Sequence, residues 1–292
     1  VRTIGALLAS AFILTGCTAD PTDEAGLGQR DPSARAVIDE TVGEISTPLS
    51  EYDIYDSHFN LETINLTILL RSGECMEAQG LIAPPVDLGS RDLPIDDRDF
   101  GQWFEPNARE FGAGFPSSSY DAELTALAES EGETWLSAYY ACGEEALSDP
   151  ELAEFVPSNE EINDSLLSST RTTARERAQQ DPTWQSARES YWTCLEEAGL
   201  TPRRGANEWG VEEVAPAGYD DRGVPEWSAE SIKASYSVVT CNTESGLTRT
   251  LGDLVASYEA PLIKKNQAAF NELKSKKQHR LELAETYINT HG

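Results

Sequence analysis

Apolar residues recur every three or four positions along most of this chain, and strict alternation is scarce, so the pattern predicts a mainly α protein. The first strong helix covers about residues 60–79, with Leu61, Ile64, Ile68, Leu69, Cys75 and Met76 on one face and Gly80 placed to end it. A long irregular stretch rich in Pro, Gly and Asp follows, from Leu81 to Ser119. The second helix, about Glu133 to Leu147, aligns Trp135, Tyr139, Cys142 and Ala146. Ser158 with Glu161 three residues later forms a capping box that opens a polar helix running to about Gln180. Asp181-Pro182 starts another, because aspartate caps well and proline suits a first turn. It stacks Trp184, Ala187, Tyr191, Cys194, Leu195 and Ala198 and stops at Gly199, before a second irregular stretch from Leu200 to Trp227. From Ser228 an apolar ladder runs through Ile232, Tyr236, Val239, Leu247, Leu251, Leu254, Tyr258 and Leu262. Its phase survives Gly246 and Gly252, so one continuous helix is expected, kinked or ended at Pro261. A polar C-terminal helix then occupies residues 261–292.

The start of the chain breaks this pattern. Ile4 to Leu14 is apolar except for Gly5 and Ser10. It has the length of a signal-peptide core and is too short to span a bilayer, for which about 20 residues are needed. Leu14-Thr15-Gly16-Cys17 follows and resembles the bacterial lipobox. The expectation is a signal peptide over 1–16, with Cys17 acylated and inserted in membrane lipid at the extracytoplasmic face of the bacterial cell membrane. An ordinary secretory leader with an incidental cysteine is the plainer alternative. Residues 17–56, beginning "CTADPTDEAGLGQRDPSARA", then read as a lipidated N-terminus and flexible linker.

Charge narrows the partners. The chain carries 22 Lys and Arg against 51 Asp and Glu, a net charge of −29, and loss of Arg2 with the leader leaves −30. Such a surface repels nucleic acid, which is excluded as a partner. The acid is spread along the sequence, as on a solvated surface.

An exported chain meets an oxidising environment, and four cysteines remain after Cys17: Cys75, Cys142, Cys194 and Cys241. None forms a C-x-x-C pair, so zinc-ribbon and thioredoxin-like readings gain no support. The chain also echoes itself. "CMEAQGL" at Cys75 matches "CLEEAGL" at Cys194, and "CGEEAL" at Cys142 and "CNTESGL" at Cys241 follow downstream. Cys75, Cys142 and Cys194 lie on the apolar stripes of their helices, whereas Cys241 shares the opposite side of its helix with Val238. Of the three possible pairings, the two-half pattern favours Cys75–Cys142 and Cys194–Cys241 within a disulfide-stabilised helical domain over 57–260. These features together, the lipobox, "CMEAQG", "YYAC", "YWTCLEEAG" and a late "TC…SGL" helix, resemble a group of uncharacterised actinobacterial lipoproteins. That resemblance implies an anchored envelope protein and supplies no catalytic residue.

Candidate chemistry is sparse. His58, His279 and His291 lack metal-ligand spacing, and His291 reads as frayed. No nucleophile elbow, P-loop or dinucleotide fingerprint is present. Acid pairs such as Glu144-Glu145 and Glu212-Glu213 read as solvated helix faces. "DDRDFG" at Asp96–Gly101 lacks the third ligand and the twelfth-position glutamate of a calcium loop, so no metal and no cofactor is assigned. Trp103, Phe104, Phe111 and Phe115 crowd the first irregular stretch, and Trp209 and Trp227 the second. Aromatic loops either bind ligands or pack onto their own domain. If they bind, the site lies between the two loops, with Glu105, Asp121, Glu208 and Asp220 favouring a cationic or polyhydroxylated ligand. Lys264 to Arg280 is basic and reads as a solvated helix face. The resulting expectation is a non-catalytic binding module whose partner is an envelope polymer, peptide or protein, its oligomeric state open. A carboxylate-pair envelope hydrolase and a transporter's solute-binding lipoprotein are the alternatives.

Overall fold

The computed structural model describes residues 28–292, apart from 90, 92–94, 116–118, 164, 206–207 and 221–224. The expected leader, Cys17 and the first part of the expected linker lie outside the described residues, as does the Asp121 side chain. Ten α-helices among the described residues, with only two short hairpins, make the protein mainly α.

The helices form two groups. In the first, α1 (His58–Ala78) packs on α4 (Glu133–Leu147), with α3 (Ser119–Glu131) against α4 and the long α10 (Gln267–His291) against α1. In the second, α9 (Leu247–Lys265) is flanked by α6 (Leu166–Gln180), α7 (Pro182–Glu197) and α8 (Ala229–Ser245), while α2 (Glu105–Phe111) packs on α8. One disulfide holds each group: Cys75–Cys142 joins α1 to α4, and Cys194–Cys241 joins α7 to α8. The main core gathers Trp184, Tyr191, Leu195, Leu247, Leu251 and Tyr258, and a second core joins Ile64, Ala146, Phe155 and Tyr287. Cys142 and Cys241 are buried, while Cys75 and Cys194 are half-buried at the helix surfaces.

The bounds of α4 match the expected Glu133–Leu147, and Asp181 caps α7 by accepting the Thr183 N–H at 2.8 Å. Elsewhere the structure corrects the pattern. Ala198 is exposed. The stripe of α1 is displaced: Thr63, Leu66 and Thr67 are buried, and Leu61, Ile68 and Leu69 are only half-buried. The irregular stretches contain α2 and a short hairpin of β3 (Gly218–Tyr219) and β4 (Pro225–Glu226). The capping box forms in both directions, Glu161 N–H to Ser158 Oγ at 3.2 Å and Ser158 N–H to Glu161 Oε2 at 3.1 Å. Yet it opens only the short α5 (Asn159–Asn163), because Ser165 caps a new helix by accepting the Ser168 N–H at 3.1 Å.

The expected single helix after Ser228 is two. Gly246 adopts a left-handed conformation, φ 66°, that ends α8 and starts α9. Buried Asn242 braces the bend, giving its side-chain N–H to the Phe100 carbonyl at 3.0 Å and accepting the Thr248 N–H at 3.1 Å. Pro261 neither ends nor closes α9. A proline has no N–H for the carbonyl four residues back, and here that carbonyl, of Ser257, accepts the Asp31 N–H at 2.7 Å instead.

Over its described residues, 28–56, the expected flexible linker is ordered. Strands β1 (Val37–Asp39) and β2 (Glu44–Ser46) pair antiparallel and lie on α9. A Cβ at Gly252 would come within 3.0 Å of the Ala36 Cβ, so glycine permits that close approach. The Ala36 N–H donates to Asp253 Oδ1 at 3.0 Å, and a 3-10 turn at Pro48–Glu51 buries Leu49 against α9 and α10. The C-terminal helix is docked through Phe270, Ala284, Tyr287 and Ile288. His291 is held too, stacked on Tyr287 at 4.1 Å and hydrogen-bonded to Glu74 Oε1.

Candidate functional site

Each of the six aromatic residues expected at a ligand site has a definite place. Trp103 and Phe104 are core residues, which corrects their assignment to a ligand-facing surface. Trp103 donates its indole N–H to the Asp97 carbonyl at 2.5 Å and so fixes the 96–99 loop. Phe111 is half-buried at the end of α2, and Phe115 is exposed with the Arg98 guanidinium 4.0 Å from its ring centre. Trp209 packs between Trp184 and Gly101, and Trp227 closes on Gly114. The two aromatic loops therefore meet, and their rings fill the contact rather than rim a groove there. This is the satellite packing that loop aromatics often provide. The basic run is not simply a solvated face: Lys274 pairs with Glu51, and Lys276 and Arg280 pair with Glu161.

The polar concavity lies elsewhere, where the N-terminal segment crosses between the two helix groups. It has two lobes that share Tyr55, Asp56 and Arg171. The first, about 350 Å³, lies between α5, α6 and α10, with Glu161, Lys276, Lys277 and Arg280 in its wall. The second, about 440 Å³, lies between β2, the 95–99 loop, α6 and α9, with Asp97, Asp99, Arg175 and Glu259 in its wall and His58 at its side. Both lie in the size range of small-molecule sites.

Local structure explains each placement. Arg171 reaches from α6 to Asp53 Oδ2 at 2.5 Å and Asp56 Oδ1 at 3.3 Å. The 95–97 segment is zipped to the β1–β2 turn by Ile95 N–H to the Val42 carbonyl at 2.9 Å and Asp97 N–H to the Gly43 carbonyl at 2.7 Å. Asp96 turns inward with φ 50°, is held by Arg98 and Asn107, and leaves Asp97 facing the cleft. The glutamate of α9, Glu259, accepts the Leu49 N–H at 3.1 Å and is only 2% exposed. Arg175 lies over Phe100 and Trp184, 4.5 and 5.0 Å from their ring centres, and donates to the Asp99 carbonyl at 3.1 Å.

Desolvation dominates the electrostatics. Burial pushes the Glu259 carboxyl up to about 7, against the Thr47 and Leu49 hydrogen bonds. Burial, with the Asp99 charge adding to it, pushes Asp97 up to about 6. Asp56 and Glu44 move the same way for the same first reason. In the other lobe burial draws the Lys277 ammonium down. Only Glu161 moves strongly toward its charged form, to about 2, because Lys276 and then Arg280 bond to it. Groups held against their preferred charge in a concavity mark a candidate functional site. Among the described residues no cluster of His, Cys, Asp and Glu has metal-holding geometry.

Sequence reasoning missed Asp53, Asp56, Arg171 and Glu259, and took Lys277 only as part of the basic run from Lys264 to Arg280. Only Glu259 carried a readable signal. It lies four residues from Val255 and four from Ile263, an acid in line with buried apolar positions of its helix. No protein-family profile matches the chain, and neither a curated protein nor a solved structure is significantly similar to it.

Proposed function

We propose that this protein is a non-catalytic, extracytoplasmic binding module tethered to the bacterial cell membrane through acylated Cys17, with the two-lobed cleft at Arg171 as its ligand site. The observation that carries the reading is the cleft itself: two desolvated carboxyls, Asp97 and Asp56, and a desolvated lysine, Lys277, line a concavity of small-molecule size between two helix groups. A ligand that neutralises them recovers part of the free energy lost to their burial. The two disulfides support an oxidising compartment. The lipobox and the resemblance to actinobacterial lipoproteins support the anchor.

A carboxylate-pair hydrolase is the second reading, favoured by two raised carboxyls, Glu259 and Asp97, beside one cleft. Against it stands the commitment of Glu259 to the Pro48–Glu51 turn, where it is sealed from solvent. Isothermal titration with cell-wall fragments and peptides, run beside a hydrolase screen, tests both. Stoichiometric binding abolished by Ile162→Trp, which fills the first lobe, is the expected result; turnover without stoichiometric binding would overturn the proposal. Cys17→Ser is expected to release the protein from the membrane fraction, and retention there would defeat the tether.

A further inference from the structure

The cleft is electrically divided, and the division identifies a class of ligand. This inference rests on reading the cleft as a binding site. In the first lobe, Asp53 and Asp56 are paired with Arg171, and the remaining acid, Glu161, is shared between Lys276 and Arg280, so two cations face that one acid. Lys277 beside them is half-buried and donates to the Ser50 carbonyl at 2.8 Å. Among the described residues no carboxylate lies within ion-pairing distance of its ammonium. In the second lobe the sign reverses. Asp97 accepts the Asp99 N–H at 2.9 Å, and among the described residues no cation lies within ion-pairing distance of its carboxylate. Asp99 reaches Arg175 only at 4.0 Å. Arg171, at the junction, is spent on Asp53 and Asp56 and so neither attracts nor repels strongly.

A simple anion would suit the first lobe and meet repulsion from Asp97 and Asp99 in the second. A simple cation would suit the second lobe and meet Lys276 and Lys277 in the first. Only a molecule with a negative end and a positive end, separated by a neutral span, satisfies both lobes at once. We infer that the cleft binds a zwitterion of peptide chemistry: a short peptide with free termini, its carboxylate held by Lys277 with Lys276 and Arg280 nearby, its ammonium held by Asp97. The neutral middle of the peptide lies along Tyr55 and Arg171, which the two lobes share.

The test is isothermal titration of the full mature chain with alanine peptides of two to five residues, alongside C-terminal amide and N-acetyl versions of each. At least one length is expected to bind, and either cap is expected to weaken it about tenfold or more. Lys277→Met should erase the penalty of the amide and keep that of the acetyl group. Asp97→Asn should do the reverse. Purely structural roles for these residues would not produce that exchange, and thermal melting of each variant confirms the fold. Binding indifferent to both caps overturns the zwitterion while leaving the cleft as a site. The same holds if alanine peptides fail to bind while another ligand binds and is lost in Ile162→Trp. Failure of every ligand tested overturns both readings.

Discussion

Glu259 offers a direct measure of what the cleft costs the fold. Helix α9 carries this carboxyl beneath the Pro48–Glu51 turn, where Thr47 and the Leu49 N–H bond to it, Arg171 attracts it and the Asp56 charge opposes its ionisation. Burial outweighs the favourable contacts and lifts it from 4.5 in the open chain to about 7. The folded state then binds this proton more tightly than the unfolded state. Its contribution is fully present below about 4.5 and is lost as pH rises to about 7. A gap of that size corresponds to about 3 kcal/mol, at roughly 1.4 kcal/mol per unit. Asp97 acts in the same direction, its contribution fading as pH rises toward 6, whereas Glu161 loses its ion pairs only as pH falls toward 2. The assay is urea unfolding at pH 5 and pH 8 at constant ionic strength, for the wild type and Glu259→Gln. Glutamine is neutral at both values and retains an acceptor for Leu49, and the global effect of the acidic surface cancels in the comparison. The wild type should lose about 2.5 kcal/mol more than the variant between the two pH values, part of the full effect having gone by pH 5, with Glu259→Gln the more stable at pH 8. Parallel profiles would refute the account of a buried carboxyl forced toward neutrality.

Other perturbations report on the scaffold. Replacing Cys75 and Cys142 by serine, or Cys194 and Cys241, should each lower unfolding free energy by about 4 kcal/mol, given sequence separations of 67 and 47; equal denaturation midpoints with and without reductant would contradict this. Gly246→Ala should cost about 1–2 kcal/mol in the same assay, since alanine resists the left-handed turn, and a neutral effect would place the helix break elsewhere. Asp181→Ala should cost about 2–4 kcal/mol, because Asp181 caps α7, pairs with Arg30 at 3.1 Å and accepts the Tyr258 hydroxyl at 2.8 Å. Loss of a few tenths would reduce it to a surface cap.

The cysteine framework was legible because it is written in spacing: two echoing segments, each a helix end with cysteine and a second helix downstream, are what the Cys75–Cys142 and Cys194–Cys241 bridges require. The helix started by Asp181-Pro182 was legible too, as α7 shows, and so was the apolar stripe of α4. Periodicity failed where a backbone event left the phase intact. The ladder from Ile232 to Leu262 passes through Gly246 without losing step, yet a single left-handed residue turns the chain there. Proline misled in the opposite direction. Pro261 stays inside α9 because Asp31, more than two hundred residues earlier, takes up the carbonyl it leaves without an intrahelical partner. Composition failed at residues 28–56, whose polar, Gly- and Pro-containing sequence reads as linker but docks on α9 through a few buried anchors, Ala36, Ile45, Leu49 and Tyr52.

The cleft was hidden for a related reason. Its charged residues come from six separated parts of the chain, and each alone reads as an ordinary solvated side chain. The aromatic loop drew attention because its composition is unusual, but unusual composition there serves packing: Trp103 holds the Asp97 carbonyl and so places the carboxylate that faces the cleft. Thus the visible residues position the invisible ones. The same arrangement explains why a fold with a sizeable core also carries two disulfides. Burial of Glu259, Asp97 and Lys277 opposes folding, and the cleft, if it holds the proposed ligand, cannot be repacked with apolar side chains without losing it. Cross-links placed in both helix groups, away from the junction, restrict the unfolded chain without touching the cleft. Stability is supplied where geometry is free to vary, so that the junction can keep charges that destabilise it.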